Sequence, residues 1–237
     1  MSHGPEGAPF AWTGAALFAA SLVYFLFSYA VTFGEIAVPG SALRAAGINA
    51  GLFGLFALHH SVFARPLIRA WMFRTVSREH ERPAFVWVAS LMLIVVCALW
   101  QPLPGIAWDL GRLGPIVTVA AWAVGLWLTL RSAAIIDIWD LAGLRRPAAP
   151  VDPNGVVEDL RVDGPYGAVR HPIYLGWLLL VFSVSPMTTT RLVLAVISTV
   201  YLLIAIPLEE RTLRATTGGA YDRYMRRVRW KLIPGVY

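Results

Sequence analysis

The sequence predicts an all-α, polytopic integral membrane protein with about six transmembrane helices. Three observations carry that prediction. Hydrophobic residues fill 57% of the 237 positions and charged residues only 14%, whereas soluble domains average about 25% charged. Six runs without a charged side chain are long enough to cross hydrocarbon as helices, which takes roughly 20 residues and at least about 17. The basic residues also fall alternately on the two sides that these runs define. Such a composition excludes a disordered chain, a nucleic-acid-binding module and an ordinary cytosolic enzyme.

The runs are residues 10–33, 45–63, 83–100, 113–130, 172–190 and 192–208. Each must be helical where it meets lipid, because open backbone groups find no partner there. No Lys or Arg precedes Arg44, so the first run reads as a retained helix rather than a cleaved leader with a basic start. Only His59 and His60 interrupt the second. The fourth continues as helix through Arg131. The fifth is strongly apolar only over residues 173–184 and reads as a tilted span or one arm of a half-buried hairpin.

Six spans put both termini on one side. That side receives five Arg in residues 65–82, four in 145–170 and seven Lys or Arg in 211–231, sixteen in all; the other holds Arg44, Arg112 and Arg191. The split predicts cytoplasmic termini in the inner membrane and explains the net charge of +6 without a nucleic-acid partner. Trp12, Trp71, Trp100, Trp108, Trp139 and Trp230 fall near the predicted interfaces, where amphipathic rings gather. The expected organisation is one transmembrane domain over 1–237. Residues 1–136 supply four helices, and 137–237 supply a cytoplasmic loop, a helical hairpin and a cytoplasmic tail. Chemistry with a soluble cofactor then belongs at the cytoplasmic face. The single Cys97 lies in an apolar run and reads as a small buried apolar side chain.

Two constellations carry chemistry. The first is Gly164-Pro165-Tyr166-Gly167-Ala168-Val169-Arg170-His171-Pro172-Ile173-Tyr174-Leu175-Gly176. Pro172 suits the first turn of a helix, where its missing N–H has no partner to lose, so Arg170 and His171 stand at a helix start near the membrane surface. Gly176 allows a helix or a ligand to approach closely. The plainer alternative for Arg170 is an anchor to lipid phosphate. The second is Leu208-Glu209-Glu210-Arg211, followed by Tyr221-Asp222-Arg223-Tyr224. Two adjacent carboxylates ending an apolar helix are expensive unless they face water, a cation or a partner.

These two strings and their separation resemble the signature of integral-membrane methyltransferases, the isoprenylcysteine carboxyl methyltransferases, phospholipid methyltransferases and their relatives, over roughly residues 155–234. The resemblance implies S-adenosylmethionine (SAM) as methyl donor. It implies that Tyr166, His171, Tyr174 and Gly176 line the cofactor site and that Glu209 or Glu210 binds the donor's amino group or adenosyl part. It also implies that the stretch containing Glu158 and Leu160 supplies backbone contacts. Leu58-His59-His60-Ser61-Val62-Phe63-Ala64-Arg65-Pro66 is similar, more narrowly, to a string of the methanethiol S-methyltransferases and related NnrU-type proteins, as are Glu81-Arg82, residues 100–105, residues 136–145 and Ser185-Pro186-Met187-Thr188. His59 stands where that string has Gln, and Phe63 where it has Met. This closer match implies a small thiol as acceptor.

A sulfonium-bound methyl is already activated, so transfer is mostly a matter of positioning and requires no metal. A thiol must become thiolate to attack, which a base assists. The residues assigned to catalysis are His60, Asp137, Asp140 and Arg170. Asp137 and Asp140 are spaced to share one helix face, with an ion pair to Arg65, Arg131 or Arg145 as the alternative. His59 lies about 100° around the helix from His60, which predicts that the two serve different sites. Other readings are a bis-histidine haem carrier using His59, His60 and His171, a non-catalytic NnrU-like membrane protein, and a methyltransferase for a larger thiol, a prenylcysteine carboxylate or a phospholipid amine. Pro207-Leu208 before Glu209 counts against the prenylcysteine acceptor, whose enzymes place a basic residue there.

Overall fold

The computed structural model describes residues 7–36, 41–63, 68, 78–144, 162–217 and 219–237. In chain order these form α1 (Gly7–Ala30), α2 (Ala42–Phe63), α3 (Arg78–Leu99), β1 (Ile106–Trp108), α4 (Gly114–Ile136), the single turn α5 (Ile138–Leu141), α6 (Pro172–Phe182), β2 (Met187–Thr188), α7 (Thr189–Thr216) and α8 (Ala220–Arg227). Among the described residues five helices are long and apolar enough to cross a membrane: α1 to α4 and α7. The fold of the described residues is all-α apart from one antiparallel pairing, Ile106 with Thr188 and Trp108 with Met187.

The expected span over 172–190 is corrected. Its helix, α6, has 11 residues, about 16 Å at 1.5 Å per residue, roughly half of the hydrocarbon thickness. Pro186 offers no N–H and disfavours helix at Ser185. Side chains of α4 take up the carbonyls left at the helix end: Trp122 Nε1 donates to Leu180 O at 2.9 Å and Thr118 Oγ1 to Ser183 O at 2.9 Å. The last span is longer than expected, 28 residues with Pro207 inside it, so Glu209 and Glu210 lie within α7 rather than at its end.

The chain gathers into two compact units, Met1–Trp108 with Trp139–Pro147 and Pro186–Ile197, and Asp109–Ile138 with Ala148–Ser185 and Ser198–Tyr237. In the first, α1 packs on α3, with Trp87 Nε1 donating to Phe10 O at 3.0 Å. The buried Asn49 side chain donates to Gln101 O at 2.8 Å and accepts from Gln101 N at 2.7 Å. Arg191 is buried, and its guanidinium is held by backbone carbonyls. Its Nε donates to Tyr29 O at 2.9 Å, its Nη1 to Pro186 O at 2.6 Å and its Nη2 to Ala30 O, so a cation sits on the carbonyl end of α1, where the helix dipole favours one. Cys97 is buried and free, as its apolar setting predicts. Trp12 and Trp139 are exposed, but Trp100 is buried beneath Thr190 O.

In the second unit α4 and α6 cross at two glycines. A Cβ on Gly176 would lie 2.5 Å from Thr129 Oγ1 and 2.6 Å from Gly125 O. Gly176 therefore serves helix approach, one of the two uses its sequence position allows.

Candidate active site

Pro172 opens α6 at its first position and leaves Arg170 and His171 just before the helix. Arg170 is buried. Its Nε donates to Glu210 Oε1 at 2.7 Å, and its Nη1 donates to the carbonyls of Val228 at 2.9 Å and Arg229 at 2.8 Å. The backbone repeats the tie: Arg170 N donates to Trp230 O and His171 N to Lys231 O, both at 2.9 Å. Residues 228–231 are thus laid along the start of α6 by four backbone carbonyls and one guanidinium. Carbonyls exist at every residue, so nothing in the residue types of the tail announces this contact.

Glu210, with a side chain 10% exposed, gathers three donors on one oxygen. Besides Arg170, His171 Nε2 lies 3.3 Å and Tyr221 Oη 3.3 Å from Oε1. Glu209, one residue earlier and 46% exposed, accepts from Tyr174 Oη at 2.9 Å on Oε2, with His171 Nδ1 at 3.7 Å. The His171 and Tyr174 rings stack at 5.4 Å with their planes 2° apart. Both nitrogens of His171 face carboxylates, so the haem alternative loses its ligand from this part of the chain.

The tail helix α8 follows a left-handed Gly219 (φ 85°), a turn that residues with a Cβ rarely make. Thr217 Oγ1 accepts from Tyr221 N at 3.1 Å. Tyr221, Tyr224 and Val228 form a small buried core with Val162, Leu213 and Met225, and Tyr224 Oη donates to Tyr166 O at 2.8 Å. Burial, and then the negative charge of Glu210, hold the Tyr221 phenol well above its usual range. Burial pushes Tyr224 up to about 12. Both phenols are hydrogen-bond donors at neutral pH. The Tyr221–Tyr224 string was legible as a motif, but its role as the clamp behind Glu210 was not.

The second set of predicted residues is arranged differently. α4 ends at Ile136, and Asp137 takes φ 136° before the separate turn α5. The expectation that Asp137 and Asp140 share one helix face is overturned, because no continuous helix joins them. Asp137 lies in the second unit and Asp140 in the first. Asp140 pairs with Arg82, a partner not foreseen: Arg82 Nη2 is 3.3 Å from Oδ2 and Nε donates to Asp140 O at 3.0 Å. His60 is exposed on α2. Its ring and that of His59 lie 5.7 and 5.6 Å from the same Phe85 ring. Glu158 and Leu160 lie outside the described residues.

Comparison with known proteins decides the family. The chain is 37% identical over 212 residues to a methanethiol S-methyltransferase of Crocosphaera subtropica, covering 84% of this chain and 83% of the relative. It is 34% identical over 230 residues to that of Mycobacterium tuberculosis, covering 89% and 91%. The chain belongs to the methanethiol S-methyltransferase family. Nurim of Sus scrofa is also similar, 29% identical over 184 residues, or 69% of this chain and 66% of nurim. No protein-family model and no solved structure matches the chain. For a methanethiol S-methyltransferase relative, the geometry separates two kinds of residue in one string. Arg170, Glu210 and Tyr221 are internal ties, while Glu209 is the carboxylate left exposed beside a pair of stacked rings.

Proposed function

We propose that this chain is an SAM-dependent methyltransferase of the cytoplasmic membrane and that its acceptor is a small thiol, methanethiol, which becomes dimethyl sulfide. The observation that carries the reading is the unequal fate of the two glutamates. Glu210 is consumed inside the protein, and Glu209 is presented outward next to His171 and Tyr174. The residues fit SAM: an ammonium needs a carboxylate, which Glu209 supplies, and a purine needs flat faces, which Tyr166, His171 and Tyr174 supply. When bound, SAM supplies a methyl group already activated on a sulfonium.

The chain supplies position and a base. Arg170 fixes the tail against α6 and is a positioning residue rather than a group that touches reacting atoms. Gly176 holds α6 close to α4. Asp140 is engaged by Arg82 and positions that guanidinium, which leaves His60 and Asp137 among the original candidates to assist thiol ionisation. Both termini face the cytoplasm, so the soluble donor arrives from that side, and a small volatile product leaves through lipid.

The test is headspace detection of dimethyl sulfide from the purified full chain in detergent, given SAM and methanethiol, with His171→Ala beside it. Product that disappears in the variant, together with lost SAM binding by calorimetry, is the expected result. Wild-type protein that neither binds SAM nor forms product would overturn the reading.

A further inference from the structure

We infer that the arginine face of α8, with the exposed apolar side chains of residues 230–236, docks on the anionic headgroups of the bilayer that α7 crosses. The inference lies wholly within the second unit and does not depend on the methyl-transfer reading. It begins with the packing of α8. Tyr221 and Tyr224 are buried in their own small core. At 100° per residue this turns Arg223, Arg226 and Arg227 to the opposite side, where all three are exposed. Arg229 is exposed just beyond the helix. Among the described residues no carboxylate pairs with these four arginines, and the acid on α8, Asp222, is taken by Arg214 at 2.8 Å.

A solvated face would account for the arginines by themselves. Their level in the fold points to lipid instead. The uncharged stretch of α7 ends at Leu208, and the next two residues meet the start of α6: Glu209 accepts from Tyr174 at 2.9 Å and Glu210 from Arg170 at 2.7 Å. Residues 228–231 are bonded to that same start through Arg170 and His171. The tail is thus folded back to the level at which α7 leaves hydrocarbon, which is the headgroup layer. Trp230, Ile233 and Val236 are exposed there, an indole and two aliphatic side chains beside four guanidinium groups.

That combination is what a charged bilayer surface takes. Apolar side chains enter the boundary of the acyl chains, Trp settles among the headgroups, and the planar fork of Arg matches two phosphate oxygens. A nucleic acid or an acidic protein would match the charge but not the apolar side chains. Docking also bears on the candidate site. Lys231 O holds His171 N, and the Val228 and Arg229 carbonyls hold Arg170, so lipid charge steadies the segment that fixes the start of α6.

The experiment places the full chain in nanodiscs of phosphatidylcholine alone, or of three parts phosphatidylcholine to one part phosphatidylglycerol, and follows amide hydrogen exchange over residues 221–231. A basic side chain near an anionic surface gains roughly fivefold, so exchange in wild type slows about tenfold or more with phosphatidylglycerol, and high salt reverses the effect. The triple variant Arg223→Gln, Arg226→Gln, Arg227→Gln, which touches none of the bonds that dock the tail, exchanges at equal rates in the two lipids. Equal rates in wild type would overturn the assignment. So would the same slowing by soluble glycerol phosphate, or by polyglutamate, in neutral discs. A second measurement reads position instead of charge. A spin label on Ile233→Cys, with the buried Cys97 left in place, is relaxed by oxygen dissolved in lipid; a label relaxed only by a water-soluble nickel chelate would place the tail away from the bilayer and sink the proposal.

Discussion

Replacing Glu210 by Gln keeps the shape of the side chain and removes its charge. Arg170 then keeps its bonds to the Val228 and Arg229 carbonyls but loses the carboxylate 2.7 Å from Nε. The two side chains are 6% and 10% exposed, so solvent screens little of the loss. Breaking a buried pair by removing one partner costs about 3–5 kcal/mol. The amide oxygen still accepts one hydrogen bond, which places the effect near the lower end, about 3 kcal/mol. At roughly 1.4 kcal/mol per tenfold, the open population of the tail rises by about two orders of magnitude. That tail carries Arg223, Arg226, Arg227 and Arg229, four trypsin sites that docking protects. Limited trypsinolysis in detergent, read by mass spectrometry, should show cleavage at these sites about a hundredfold faster in Glu210→Gln. Unchanged cleavage rates would refute the view that this carboxylate holds the tail.

Glu209→Gln should behave oppositely: stability within about 0.5 kcal/mol, as for other exposed sites, but SAM affinity down at least tenfold by calorimetry. Gly176→Ala should destabilise the α4–α6 crossing by roughly 1–3 kcal/mol, since the new methyl group meets the Gly125 carbonyl at 2.6 Å; a Tm in detergent equal to wild type would contradict that packing. Raised phenol pKa values favour the neutral form in the folded state. The stability contributed by Tyr224 is therefore complete below about pH 10, its unfolded value, and is lost as pH rises through about 12. Tyr221, raised further, begins to lose its contribution at the same pH and keeps part of it to higher pH. Tail protection should hold at pH 8, weaken from about pH 10 and be lost by about pH 12, in step with phenolate absorbance.

Element identity was legible because lipid leaves the backbone no choice. Charge-free runs became helices α1, α2, α3, α4 and α7, and Pro172 opened α6 where its missing N–H predicts. Arg170, His171, Glu209, Glu210 and Tyr221 were also singled out in the sequence, and the structure brings these side chains together. The absence of charge could not reveal where α6 stops, because the residues beyond Phe182 stay uncharged as far as Arg191 while Pro186 and the side chains of α4 end the helix. It could not divide the work of two adjacent glutamates either: on a helix they point about 100° apart, and only packing decides which one meets Arg170. The Asp137–Asp140 spacing misled for a related reason. A three-residue interval implies one face only if the helix continues, and the chain breaks at Asp137. The pairing of Asp140 with Arg82, 58 residues earlier, and the grip of Arg170 on tail carbonyls 58 and 59 residues away leave no periodic trace. Such contacts depend on where distant segments meet, and that is settled by tertiary packing.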